Sequence, residues 1–271
     1  MGTPTLVSLV VGLCILSAVF WAIERWRPAL ASQRRRGVDT RVDLAYWFFT
    51  PLVTRATTRL AIGAVFVLIA VGQGITIEDL RATLTTRQTW AASLPLWVQA
   101  PVILLLADLL AYGTHRLFHA KWLWPFHAIH HSSKTVDWLS SVRLHPVNDA
   151  VARVVQVLPL YWMGFHGGAL AAAVPLLTFY ALLLHANVSW SYGPLRFAVA
   201  SPVFHRWHHT SQAEGLDRNF AGLFPFIDLI FGTFYMPPGR QPERFGIVGE
   251  AVPDGLLAQL AYPFRRRPRT S

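Results

Sequence analysis

From Thr3 to Ile23 the chain carries no charged side chain. At about 1.5 Å per residue, such a run folded as a helix crosses a hydrocarbon core about 30 Å thick. Inside hydrocarbon each backbone N–H and C=O must be satisfied within the protein, and a continuous apolar run without period-two alternation meets that demand as an α-helix. Further apolar stretches run from Leu44 to Gln73, Leu94 to Tyr112 and Val154 to Leu184. The expected fold class is therefore all-α, an integral membrane helical bundle. A chain with 53% hydrophobic and 14% charged residues fits that class and not a soluble one. The net charge of +10 sits in short clusters between apolar runs, so no nucleic-acid partner is expected. Cys14, the single cysteine, excludes an internal disulfide or a thiolate metal site. The first run has no basic residue before it and no small-residue cleavage site, so it reads as a retained anchor.

Charge placement sets the expected topology. Arg25, Arg27, Arg34, Arg35, Arg36 and Arg41 follow the first span and should stay cytoplasmic, placing the N-terminus outside. The second span, interrupted by Arg55 and Arg59, starts either near Leu44 with a tilt or near Leu60 after an interfacial segment. Gly74 to Ser93 suits an outer loop, and Leu94 to Tyr112 returns inward. Three regions are expected within one integrated domain. Residues 1–93 hold the N-terminal spans and outer loop, 94–240 the catalytic region with a re-entrant hairpin, and 241–271 a basic cytoplasmic tail. The 22 Arg against 2 Lys, with much Ala, hint at a bacterium rich in G and C, and hence at the inner membrane.

Three short segments concentrate the histidines. His115 and His119 close the third span; His127, His130 and His131 follow at once; His205, His208 and His209 repeat the HxxHH spacing. On a helix, residues three and four apart share a face, so each box can aim its rings at one point. Imidazole suits iron, copper, zinc and nickel. Eight or nine such ligands exceed the need of one ion, so two metals are expected, held in a cap on the cytoplasmic face. Bringing the third box to the first two requires Val154–Leu184 to enter and leave on one side, as a hairpin with His166 near its tip in a structural role. His185 then ends on the box side as a ninth ligand. His145 and Asn187 are candidate ligands or supporting residues. Asp108, an acid in apolar sequence, shares a face with Tyr112, His115 and His119. It is expected either to accept a bond from a ligand imidazole or to pair with Arg55 or Arg59. The aromatic stretch Phe226–Phe234 suits an interfacial helix closing over the site.

His-Arg-Leu-Phe-His from 115, His-Ala-Ile-His-His from 127 and His-Arg-Trp-His-His from 205, in this order behind hydrophobic spans, resemble the three boxes of the fatty acid hydroxylase / sterol desaturase superfamily. The resemblance covers roughly His115 to Phe234, with Asn219–Gly222 and Phe231–Phe234 similar to bacterial sterol-desaturase-like members. It implies two non-haem iron ions at the cytoplasmic membrane face, using O2 and two electrons to hydroxylate or desaturate a lipid. It also implies that His115, His119, His127, His130, His131, His205, His208 and His209 are ligands. His185 matches a histidine often found before the third box, and His145 lies in an Arg-x-His-Pro pattern common in the group. Sterol, fatty acyl, carotenoid and ether lipids remain open as substrates.

No flavin, dinucleotide or haem-domain motif is visible, so an external cytochrome, ferredoxin or reductase is expected to supply electrons, docking on the basic face. Three other readings compete. A metal carrier would place ligands at mid-membrane, bis-His haem binding leaves the adjacent pairs His130–His131 and His208–His209 unexplained, and a zinc-dependent membrane hydrolase would act without O2.

Overall fold

The computed structural model describes residues 4–33, 37–86, 89–165, 167–249 and 251–265. His166, Arg34 to Arg36 and the tail beyond Arg265 lie outside the described residues. No strand occurs among the described residues; two isolated bridges, Pro28 with Val188 and Thr210 with Phe245, tie loops together.

The chain order is α1 (Leu6–Trp26), α2 (Val38–Phe49), α3 (Arg55–Gln73), α4 (Ile77–Thr86), α5 (Trp90–Ser93), α6 (Leu96–Phe118), α7 (Trp124–His131), α8 (Pro146–Trp162), α9 (Gly167–His185), α10 (Pro202–His208), α11 (Phe226–Ile230) and α12 (Leu256–Ala261). Four helical stretches are long and apolar enough to cross a membrane: Leu6–Trp26, Asp39–Gln73, Leu96–Phe118 and Gly168–His185. Their outward surfaces are apolar, with Val7, Leu60, Leu68 and Val71 each at least 70% exposed. A water-soluble helix could not leave such faces bare. Exposed tryptophans gather at both ends, Trp21, Trp26 and Trp122 toward the histidine boxes and Trp90, Trp97 and Trp162 at the opposite end. This is the aromatic belt of a membrane protein.

Of the two starts expected for the second span, the one near Leu44 agrees with a single helical stretch over Asp39–Gln73, and no break precedes Leu60. α2 and α3 form one continuous helical stretch joined by a π-type turn at Thr50–Thr54, around Pro51. Pro51 has no N–H to donate, which favours the wider turn there. The stretch of 35 residues measures about 52 Å and so overshoots the hydrocarbon core on the histidine side. It ends at Gly74, whose φ of +65° provides a left-handed cap.

The hairpin of α8 and α9 is present. Its turn carries Gly164 at φ +88°, and a Cβ there would run into Thr89 Oγ1. Only glycine lets the tip seat on the start of α5. Phe165 and Leu160 pack there with Ala91 and Ile103 and close the far end of the bundle. At the histidine end, Phe20 of α1 stacks on Trp138 at 5.2 Å, in a cluster with Leu182 and Val188.

Residues 251–265 of the expected tail pack against the helices at the histidine end. Tyr262 is buried with Val42, Tyr46, Ala128 and Ile129, and α12 packs on α2. Leu256 and Leu260, one turn apart, give this short helix a face to bury, while Leu257 points away and is exposed. The aromatic stretch at 226 is helical only over Phe226–Ile230, and Leu229, Ile230 and Phe231 are exposed beside α6.

Candidate metal centre

Each box sits in the last turn of a helix or just beyond it: His115 and His119 at the end of α6, His130 and His131 at the end of α7, His185 at the end of α9, and His205, His208 and His209 at the end of α10. Four helix C-termini therefore point their unsatisfied carbonyls and negative dipole ends toward one region, a potential that favours cations.

Nine imidazoles meet there in two sets. His115, His119, His127, His131 and His208 bring one ring nitrogen each within 4.8 Å of one another; His130, His185, His205 and His209 do the same. Here the expectation that each box aims at one point fails. The second box sends His127 and His131 to the first set and His130 to the second. The third sends His208 to the first and His205 and His209 to the second. Residues i and i+4 are about 40° apart around a helix, whereas i and i+3 fall about 60° to the other side. An HxxHH box is thus built to serve two neighbouring centres. Rings from the two sets touch, His131 stacking on His209 at 4.4 Å.

The hydrogen bonds fix which nitrogen faces inward. A carbonyl oxygen cannot donate, so the Nδ1 that meets one must carry the proton. His115 Nδ1 donates to Phe220 O (2.8 Å), His130 Nδ1 to Arg143 O (3.1 Å), His185 Nδ1 to Ala181 O (2.8 Å) and His208 Nδ1 to Arg218 O (2.7 Å). His119 Nδ1 donates to Asp217 Oδ1 (2.9 Å) and His127 Nδ1 to Asn148 Oδ1 (2.9 Å). With the proton on Nδ1, a neutral ring presents a bare Nε2 lone pair. Yet His130 Nε2 lies 3.2 Å from His185 Nε2, and His115 Nε2 lies 3.0 Å from His127 Nε2. Two lone pairs at that distance repel unless a cation lies between them. The spacing equals that of two nitrogens about 2.1 Å from one ion at an angle of roughly 90–100°. His119 Nε2 and His208 Nε2 are buried with no partner of their own. The residues present fit two metal ions, five imidazoles for one and four for the other.

Burial first, then the neighbouring imidazoles, pushes His127, His130, His131, His205, His208 and His209 well below the usual histidine range. All six are neutral at pH 7, the protonation state a ligand needs.

The loop after α10 fixes two of these rings. Asn219 takes a left-handed φ of +59° and is fully buried. Its side chain donates to Phe204 O and Tyr235 O and accepts from Tyr235 N–H. The carbonyls on either side of it, Arg218 and Phe220, are the acceptors for His208 and His115. Two buried carboxylates hold the strip that follows. Asp228 accepts the N–H groups of Phe220 and Ala221, and Asp108 those of Gly222, Leu223 and Phe224.

Asp108 therefore neither accepts from an imidazole nor pairs with Arg55 or Arg59. The unpaired backbone donors of the 220–224 strip outcompete both, since a carboxylate aligned with three amides satisfies all of them at once. His145 stands apart from both sets. Its Nδ1 accepts the Val147 N–H as the N-cap of α8, and its Nε2 faces Leu260 O, so both ring nitrogens are committed. Asn187 exchanges hydrogen bonds with Leu30 and donates its own N–H to Glu24, pinning the end of α1. Sequence reasoning missed Asn148, Asp217 and the four carbonyl acceptors. Every residue owns a carbonyl, so no residue type could have marked those.

A cleft of about 300 Å3 opens onto the first set from the side away from the spans, lined by His119, His131, His208, Trp124, Lys121 and Asp217 among others. The Trp124 ring lies 5.0 Å from His119 and 5.3 Å from His131. The His119 bond holds the Asp217 carboxyl below its usual range.

Residues 100–233 match the fatty acid hydroxylase family. An ornithine lipid hydroxylase of Rhizobium tropici is 30% identical over 261 residues, covering 93% of this chain and 74% of that protein. Alkylglycerol monooxygenases are similar over the central region: the Caenorhabditis elegans protein is 25% identical across 52% of this chain and 28% of its own length, the Homo sapiens protein 29% identical across 45% and 27%. No solved structure matches the chain.

Proposed function

Because the chain belongs to the fatty acid hydroxylase family, we propose that it is a membrane-bound oxidoreductase with a non-haem di-iron site, hydroxylating the hydrocarbon part of a lipid with O2. The observation that carries this reading is the pairing of inward Nε2 lone pairs, five and four, at the ends of spanning helices. Two irons held there would supply the activation of O2 and the removal of hydrogen from an unactivated C–H bond, chemistry that no side chain provides. The overall change is balanced as one oxygen atom inserted into a C–H bond and the other leaving as water, with two electrons and two protons taken up.

The chain's own residues orient and exclude. The Nδ1 acceptors hold six of the nine rings in fixed tautomers, a support generally worth about 10–100-fold in metal affinity. α6 and α9 end in ligands, so a hydrocarbon tail lying among the spans meets the site end-on. Positioning a single carbon in this way lowers the entropic part of the barrier. The polar cleft beside Trp124 suits an external one-electron donor of the cytochrome, ferredoxin or reductase type, and places an aromatic ring between that surface and two ligands. Arg25, Arg27 and Arg41 flank the histidine end, which supports a cytoplasmic site in a bacterial inner membrane. We read residues 1–93 as anchor, 94–240 as the reactive region and 241–271 as completing the cap.

The Rhizobium tropici relative supports an ornithine lipid as the first substrate to assay, with fatty acyl, ether lipid, sterol and carotenoid substrates beside it. Elemental analysis of protein purified in mild detergent should give about two irons per chain, falling to one in His208→Ala and in His130→Ala, which strike different sets. O2-dependent hydroxylated product should follow. Haem, a single tightly held zinc, or metal content indifferent to both substitutions would overturn the reading.

A further inference from the structure

The first turns of α3 and α8 pack side by side at the histidine end of the bundle. There Thr58 Oγ1 donates to Asp149 Oδ2 at 2.9 Å, and Arg153 Nε lies 3.5 Å from Asp149 Oδ1. Arg55 and Arg59 share the same face of α3, one turn apart, and Arg55 feels the charges of Arg153, Asp149 and Arg59 together. Arg55 and Arg153 thus lie beside one carboxylate, already committed to Thr58 and Arg153, with Arg59 one turn beyond Arg55. Neither Arg55 nor Arg59 has a hydrogen bond or ion pair among the described residues. Like charges at i and i+4 repel.

The surroundings make this surplus costly. Leu52, Val53, Leu60 and Val151 are exposed on either side of the arginines, so the cluster interrupts a surface that faces lipid. α3 has 19 residues, about 28 Å, and Arg55 is its first. The arginines therefore lie at the edge of the hydrocarbon core on the histidine side, at headgroup depth. Arginines at such a depth reach the headgroup layer, and what this cluster lacks is an anion with several acceptor oxygens. Guanidinium forks match phosphate oxygens in pairs.

We propose that the α3–α8 groove is a binding site for the phosphate of an anionic phospholipid, held by Arg55, Arg59 and Arg153 with Asp149 orienting Arg153. The occupant is a lipid because the exposed neighbours are apolar and face the bilayer; basic pockets between spanning helices are a known means of lipid recognition. None of the three arginines bonds a histidine, and the link to the metal centre runs through Asn148, next to Asp149, which accepts from His127.

The test is retention of phospholipid by the full chain purified in mild detergent, read as lipid class by mass spectrometry and phosphorus per chain after extensive washing. The variants are R55Q/R59Q and R153Q, with R25Q/R27Q as a control beside the exposed Trp21 and Trp26. Helical content and unfolding temperature establish that each variant is folded. Wild type should keep about one anionic phospholipid per chain. It should take up phosphatidylglycerol but not phosphatidylcholine from mixed micelles. Retention should fall at least about tenfold in R55Q/R59Q and in R153Q and stay unchanged in R25Q/R27Q. Equal loss in R25Q/R27Q would reduce the effect to diffuse surface charge, and unaltered retention in the groove variants would overturn the site. Displacement by millimolar inorganic phosphate would overturn its assignment to lipid.

Discussion

Replacing Asp108 with asparagine changes no more than one oxygen into an amide nitrogen, yet three backbone donors depend on that carboxylate. Gly222 N–H meets Oδ1 at 2.8 Å, while Leu223 and Phe224 meet Oδ2 at 3.1 and 2.8 Å. The asparagine oxygen can serve the Leu223–Phe224 side, which leaves its NH2 facing the Gly222 N–H, donor against donor. One charge-assisted bond is lost, about 1.5–3 kcal/mol, and a buried N–H is left unsatisfied, about 1–3 kcal/mol more, for a total of about 3–6 kcal/mol. The damage falls on the strip that carries Phe220 O and lies next to Arg218 O, the acceptors for His115 and His208. Both rings belong to the first set. Asp108→Asn should therefore unfold at a lower temperature, and its first set should weaken by about 10–100-fold while the second is untouched. Chelator competition followed by elemental analysis in detergent measures this, with about one metal per chain surviving where wild type keeps two. If both metals survive at the wild-type chelator midpoint, or both leave together, the strip does not act on the first set and the reasoning fails.

Asn148→Ala removes the acceptor for His127 Nδ1 and should likewise weaken the first set by about 10–100-fold without affecting the second, as read by the same competition. His145→Ala should keep both metals and cost about 1 kcal/mol through the lost cap of α8, measured by thermal unfolding; loss of a metal would return His145 to the ligand list. Metal-free protein should be acid-sensitive. The six rings at 127, 130, 131, 205, 208 and 209 have folded values below the unfolded value of about 6.5. Below that pH the unfolded chain binds more protons than the folded one. Stability is thus full above about pH 6.5 and falls with acid by up to about 1.4 kcal/mol per pH unit for each ring. Unfolding temperatures of the metal-free protein that stay level from pH 8 to pH 5 would contradict this.

Much of the centre was legible because its parts are local. The eight box histidines are marked by i, i+3 and i+4 spacing, a property of one helix at a time. His185 was legible once Val154–Leu184 was read as a hairpin. Asp108 was singled out correctly as an acid with a task, yet its partners lie at Gly222, Leu223 and Phe224, more than a hundred residues away. Its own helix offers a nearer candidate, the imidazoles of His115 and His119 two and three turns on. His145 stays open in the sequence between a ligand and a supporting residue for the same reason: residue type alone does not distinguish a ring that offers a lone pair to a metal from one that caps a helix.

By itself the sequence determined the spanning helices, the helical class and the residue types gathered at one end, because hydrocarbon burial and helix periodicity act over twenty residues or fewer. Only the tertiary structure decided which histidine serves which set, which nitrogen of each ring faces inward, and that Asn148, Asp217 and the carbonyls of Arg143, Ala181, Arg218 and Phe220 hold them. Those choices depend on where the chain path brings each acceptor, from four residues away at Ala181 to 105 at Phe220, and most of the acceptors are carbonyls that every residue owns and only position in space singles out.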